Sequence, residues 1–161
     1  MVKNHLVTVT ILGILLSLPL QAQKLTLKER LETIRAARII FYELDDYYRD
    51  IKRNFSKKSK LEIFEIKKKI GILDDKLTDL PPETHNGDIP DDCRSSPNKL
   101  YHFISILSGD YGILPTITDF TEQYRRDLHR RAEEGFLVGS SRCLTLFDEV
   151  EAKLLAQMKK P

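Results

Sequence analysis

From Leu27 to Phe55 the apolar residues recur at steps that alternate between three and four: Leu27, Leu31, Ile34, Ala37, Phe41, Leu44, Tyr48, Ile51 and Phe55. That spacing keeps to one face of an α-helix, and a β-strand would scatter it over both faces. Thr26 stands three residues before Glu29. This is capping-box spacing, in which the hydroxyl serves an orphan N–H group and the carboxylate reaches back to the cap. The pattern predicts a helix over about 27–55, roughly 43 Å long at 1.5 Å per residue. Ile40 and Tyr47 widen the apolar face, so more than one neighbour packs on it.

The same grammar repeats. Ser59 and Glu62 have capping-box spacing, Ile63, Ile66, Ile70, Leu73, Leu77 and Leu80 form a stripe, and Pro81-Pro82 ends it. A helix over about 60–80 follows. The short join at Ser56–Ser59 makes the two helices an antiparallel hairpin, with one long bent helix as the alternative. Residues 81–96, PPETHNGDIPDDCRSS, read as a loop, with three prolines, Asn86-Gly87 and clustered acids. Ser96 is placed to cap and Pro97 suits a first helical turn. A third helix over about 97–108 turns Leu100, Phe103, Ile104 and Leu107 inward. A fourth over about 117–133 uses Ile117, Phe120, Tyr124 and Leu128, and Gly135 suits its stop. A fifth over about 142–158 uses Cys143, Leu146, Phe147, Val150, Leu154 and Met158. No alternating strand and no internal repeat appear. The fold class is all-α: an antiparallel bundle of four to five helices.

At 161 residues, with 41% hydrophobic and 31% charged residues, the chain suits one core and hardly two. Its first 22 residues stand apart. Lys3 is the only charged side chain before Lys24, and an apolar run from Leu6 to Leu18 has signal-peptide length. Pro19 breaks it, and Leu20-Gln21-Ala22 offers a small residue for cleavage. The expectation is a signal peptide over 1–22, cleaved after Ala22, and a single helical domain over 23–161. An uncleaved anchor is the alternative, but a spanning helix needs about 20 mostly apolar residues. The destination is secretion: periplasmic in a Gram-negative cell, extracellular otherwise, with no stable membrane span after cleavage.

Two cysteines are too few for a disulfide scaffold or a Cys-only zinc site. In an exported chain they suffice for one bridge, Cys93 to Cys143, tying the acidic loop to the last helix. Two free thiols are the alternative.

The formal charge of +2 hides segregation. Residues 52–69 hold eight bases and two acids, net +6, whereas residues 74–92 hold seven acids and one Lys, net −6. The first run supplies a candidate basic docking patch: Lys57, Lys58, Lys60, Lys67, Lys68 and Lys69. The second supplies a candidate acidic loop: Glu83, Asp88, Asp91 and Asp92. Both also read as solvated surface. Arg125, Arg126, Arg130 and Arg131 form another basic group, partly offset by Asp127, Glu133 and Glu134. Near-neutral charge and the lack of aromatic platforms beside the bases give no nucleic-acid site.

Catalytic grammar is lacking. His85, His102 and His129 have no metal-ligand spacing. The acids of 83–92 lack the order of an EF-hand. Gly139-Ser140-Ser141 is not a nucleophile elbow. Asn54-Phe55-Ser56 is a glycosylation sequon, relevant only in a eukaryotic source. The expectation is therefore no enzyme, no metal and no cofactor. Two functions fit. One is an exported helical module that docks another protein as an inhibitor, immunity protein or chaperone. The other is a secreted receptor-binding ligand of cytokine type. The oligomeric state is not legible.

Overall fold

The computed structural model of the chain describes residues 25–81, 88–109 and 122–160. Residues 1–22, where a signal peptide is expected, and Glu83, His85, Ile117 and Phe120 lie outside these residues. Helix α1 spans Leu27–Asn54, and a single 3₁₀ turn at Phe55–Lys57 leads to α2, Lys60–Thr78. A four-residue helix α3 covers Asp91–Arg94, α4 covers Ser96–Ser108, and α5 runs for 37 residues, Glu122–Met158. No strand occurs among the described residues.

Both capping boxes form. The Glu29 amide donates to Thr26 Oγ1 at 3.2 Å, and the Thr26 amide donates to Glu29 Oε2 at 2.7 Å. Ser59 and Glu62 repeat the exchange at 3.2 and 2.8 Å. Each box satisfies two N–H groups that a helix start leaves without partners. The 3₁₀ turn between α1 and α2 makes the join a hairpin rather than one bent helix.

Cross-helix contacts fix the direction of each helix. Phe41 meets Phe147 edge-on, with ring centres 5.1 Å apart, while Tyr48 meets Phe136 at 5.4 Å, so α1 and α5 are antiparallel. Lys67 lies over the Tyr101 ring, while Asn98 donates to Asp74 at 3.3 Å, so α2 and α4 are antiparallel. Cys93 joins Cys143, while Phe103 packs on His129, which runs α5 back along α4. The bundle is therefore up-down-up-down. Its core contains the α1 residues Leu31, Ile34, Ala37, Ile40, Phe41, Leu44 and Ile51. Across from them lie Ile63, Ile66, Ile70, Leu73 and Leu77 of α2, and Leu100, Phe103 and Ile104 of α4.

The last third of the chain departs from expectation. No break separates residues 133 and 142; α5 continues through Gly135 and Gly139. Phe136, Ser140, Cys143, Phe147, Val150 and Leu154 are buried at steps of four, three, four, three and four, an unbroken helical stripe. Each glycine costs about 1 kcal/mol against alanine in a helix, whereas fully burying one Phe is worth about 3 kcal/mol, so Phe136 carries the helix across. Two residues expected inward are exposed instead, Tyr124 and Met158. Ser96 does not cap. It occupies the first turn of α4 with its hydroxyl buried and unbonded among the described residues, while Ser95 stands at the cap position. The chain turns there by running α3 straight into α4, which leaves no extended residue to present a capping oxygen.

Candidate functional site

The expected bridge is present. Cys93 and Cys143 form a disulfide with their Cα atoms 5.6 Å apart. Both are buried, and the bridge fastens α3 to the middle of α5, not to the start of a separate helix.

The acidic loop is not one surface. Asp88 is 5% exposed and takes two hydrogen bonds from Arg30, Nε to Oδ2 at 2.7 Å and Nη2 to Oδ1 at 2.5 Å. That pairing pushes the Arg30 guanidinium further above its ordinary value. A carboxylate held this way stitches the loop to α1 and presents nothing to a partner. Asp91 and Asp92 are exposed, and Asp92 faces Arg142 at 3.7 Å. Among the described residues no group of three His, Cys, Asp or Glu is placed to hold a metal. His102 is exposed, and the half-buried His129 lies 5.1 Å from the Phe103 ring.

The basic run divides as well. Lys67 is 6% exposed, with its ammonium 4.5 Å from the centre of the Tyr101 ring, a cation–π contact between α2 and α4. Lys58 pairs with Asp50 at 2.7 Å and closes the α1–α2 turn; with Asn54 it holds the Asp50 carboxyl below its ordinary value. The Asn54 amide nitrogen of the sequon donates to Asp50 at 2.9 Å. Lys57, Lys60, Lys68 and Lys69 remain exposed.

The exposed apolar residues beside them are the feature that the sequence reading missed. Leu61 is 69% and Phe64 61% exposed, and Ile72 is exposed farther along α2. At about 100° per residue, Leu61, Phe64, Lys68 and Ile72 fall within about 80° of one another, opposite the buried stripe. Glu65 shares that face. A groove of about 510 Å³ opens alongside, lined by Phe55, Lys60, Ile63, Phe64, Lys67 and Leu107. The missed signal was a second apolar periodicity on α2, out of phase with Ile63, Ile66, Ile70, Leu73 and Leu77.

The α1–α5 seam carries another set of charges. Glu151 receives hydrogen bonds from Arg35 at 2.7 Å and from Arg38; these outweigh burial and hold its carboxyl below the ordinary value. Tyr48 donates to Glu133 at 2.6 Å, and Lys52 pairs with the same oxygen. Burial raises the Glu133 carboxyl, but Lys52 and Tyr48 prevail and leave it lowered. Burial first, then the bond to Glu133, pushes the Tyr48 phenol up to about 12. These groups fix α5 against α1. On the outer side of α5, Arg126 pairs with Glu122 and Arg130 with Asp127, at 3.1 and 3.2 Å, which uses part of the arginine group locally.

No described helix is long and apolar enough to cross a membrane. The chain matches no protein-family model, no curated protein and no solved structure.

Proposed function

We propose that the chain is exported, loses residues 1–22, and works by docking another exported protein on the outer face of α2. The observation that carries the reading is Leu61 and Phe64, more than half exposed among Lys57, Lys60 and Lys68. A side chain that a bundle does not need for its own core, placed among cations at the mouth of a groove, suits an acidic amphipathic segment. Its apolar side would cover Leu61 and Phe64, and its Asp and Glu side chains would meet the lysines. The disulfide supports an oxidising compartment for the mature chain. No catalytic step and no cofactor form part of the proposal, and the role is that of an inhibitor, immunity protein or chaperone. The cytokine-type alternative is less well supported, because bundles of that class run up-up-down-down with two long crossovers.

The test begins with the intact mass of the exported protein, which should show loss of residues 1–22 and a 2 Da deficit for the bridge. The partner recovered with it should bind the purified protein with a salt-dependent affinity. Phe64→Asp and the combined reversal of Lys57, Lys60 and Lys68 to Glu should each weaken that affinity at least tenfold, while Ile39→Asp on the outer side of α1 should not. Equal affinity for all four proteins would remove α2 as the docking face.

A further inference from the structure

A second groove, of about 490 Å³, runs beside the disulfide between α3, α4 and α5. It lies apart from the outer face of α2 and does not depend on the docking proposal. Its walls are mostly apolar: Pro90, the Cys93–Cys143 bridge, Val138 and Leu146. A volume of this size is in the range of small-molecule sites.

Two observations at one end of it ask for an explanation. First, Gly135 and Gly139 both line the groove, one helical turn apart. A Cβ at Gly135 would meet no heavy atom within 4 Å, so the protein's own packing does not require glycine there. Each glycine lowers helix stability, yet Gly135 stands where a side chain would extend into the groove and Gly139 where one would press on Lys99. Second, the Lys99 ammonium sits at this end, 3.3 Å from the place a Gly139 Cβ would take. Lys99 is half-buried, and although its amide donates to the Ser95 carbonyl, its ammonium makes no hydrogen bond or ion pair with any described residue. The neighbouring cation Arg142 has Asp92 opposite it at 3.7 Å. Glu149, the other acid of the groove, lies ten residues along α5 from Gly139, about 15 Å away at 1.5 Å per residue. The groove thus has the lone Lys99 ammonium toward one end, mostly apolar walls with the exposed Arg142–Asp92 pair at their rim, and Glu149 at the far end.

We propose that this groove binds a small amphipathic monocarboxylate, with its carboxylate on the Lys99 ammonium and its alkyl chain along Pro90, the disulfide and Leu146. Gly135 keeps space open for that ligand, Gly139 lets the Lys99 ammonium lie against α5, and that ammonium supplies the charge-assisted hydrogen bond that sets the ligand's orientation. Glu149 at the opposite end disfavours the reversed pose.

Calorimetric titration of the purified disulfide-bonded protein with decanoate, below its micellar range, tests this. One saturable site is expected. Decyltrimethylammonium, with the same chain and the opposite charge, should bind at least tenfold more weakly. Lys99→Met should weaken decanoate about tenfold or more, the loss expected for one charge-assisted contact. Gly135→Leu should abolish binding by occupying the groove, while the ligand-free variant melts no lower than the parent. Thermal melts of both ligand-free variants show that they fold. The proposal fails if decanoate does not saturate a single site. It also fails if both amphiphiles bind equally, or if Lys99→Met and Gly135→Leu leave the decanoate affinity unchanged.

Discussion

Arg30 holds Asp88 with both Nε and Nη2, at 2.7 and 2.5 Å, so a residue from the acidic loop is locked onto the first helix across 58 positions of chain. The pair sits at the end of the bundle where the α2–α3 connection returns, and it leaves Asp88 without an exposed face. Replacing Asp88 with Asn keeps the shape but removes the charge that both guanidinium nitrogens serve. Hydrogen bonds to charged groups contribute about 1.5–3 kcal/mol. Asp88→Asn should therefore cost about 2 kcal/mol in urea unfolding, whereas Asp91→Asn, at an exposed carboxylate, should cost under about 0.5 kcal/mol.

Stability should fall on both sides of neutrality, for different groups. The Glu151, Glu133 and Asp50 carboxyls are held below their ordinary values in the folded chain. Their contribution is present above the ordinary carboxylate range, about pH 4, and is lost as pH falls through the lowered folded values. Asp74, raised mainly by burial, acts in the opposite sense. Tyr48 acts on the alkaline side, since burial and then Glu133 push its phenol up to about 12. Its contribution is complete below the unfolded value of about 10 and disappears as pH rises through the folded one. Urea midpoints measured across pH should decline below pH 4 and again above pH 10. Tyr48→Phe should shrink the alkaline decline, leaving the part due to Tyr47, whose phenol burial and then Glu43 also raise, and cost about 1 kcal/mol at pH 7 through the lost hydrogen bond.

The disulfide closes a loop of 50 residues. The chain-entropy account assigns about 4 kcal/mol to a closure of that length, an upper figure for the loss on removal. Replacing Cys93 and Cys143 together by Ser should lower the urea midpoint without abolishing the helical circular dichroism, because the α1–α5 and α2–α4 contacts do not pass through the bridge. A fully unstructured double variant would show that the bridge, rather than the core, defines the fold.

Gly135 separates a continuous α5 from two shorter helices. In one helix Gly135→Ala adds no contact closer than 4 Å and gains helix propensity. The melting temperature should rise, with a stability gain of about 0.5–1 kcal/mol. Gly135→Pro should cost about 3 kcal/mol or more by breaking the ladder. If residue 135 instead ended a helix in left-handed geometry, Ala would destabilise and Pro would be tolerated far better.

The first half of the bundle was legible because its signals are local and agree with one another. Thr26 and Ser59 cap, Pro81 stops, and two stripes of period 3.6 lie between them. The Cys93–Cys143 pairing was legible from compartment logic alone. The single helix α5 was not, because Gly135, Gly139 and the two serines after it are loop formers by composition. What overrides them is long-range: Phe136 fills the space between Tyr48 and the core, and no window along the sequence shows that neighbour. The division of the candidate patches into held and exposed residues was hidden for a related reason. Charge counting cannot tell Lys67, laid over Tyr101, from Lys68 in water, nor Asp88 on Arg30 from Asp91 in the open. Leu61 and Phe64 were passed over because an apolar residue on a helix is read as core until a buried stripe on another face displaces it.

The central claim is that Leu61 and Phe64, among the lysines of α2, are where a partner sits. A photo-crosslinking amino acid placed at position 64 tests it most directly, with position 39 of α1 as the comparison, in cells that express and export the protein. The account predicts one discrete cross-linked protein from position 64, carrying an acidic amphipathic segment at the point of attachment. That product should be absent from position 39 and lost when Lys57, Lys60 and Lys68 are reversed to Glu. Cross-links of equal yield from both positions, or a product indifferent to the lysine reversal, would contradict it.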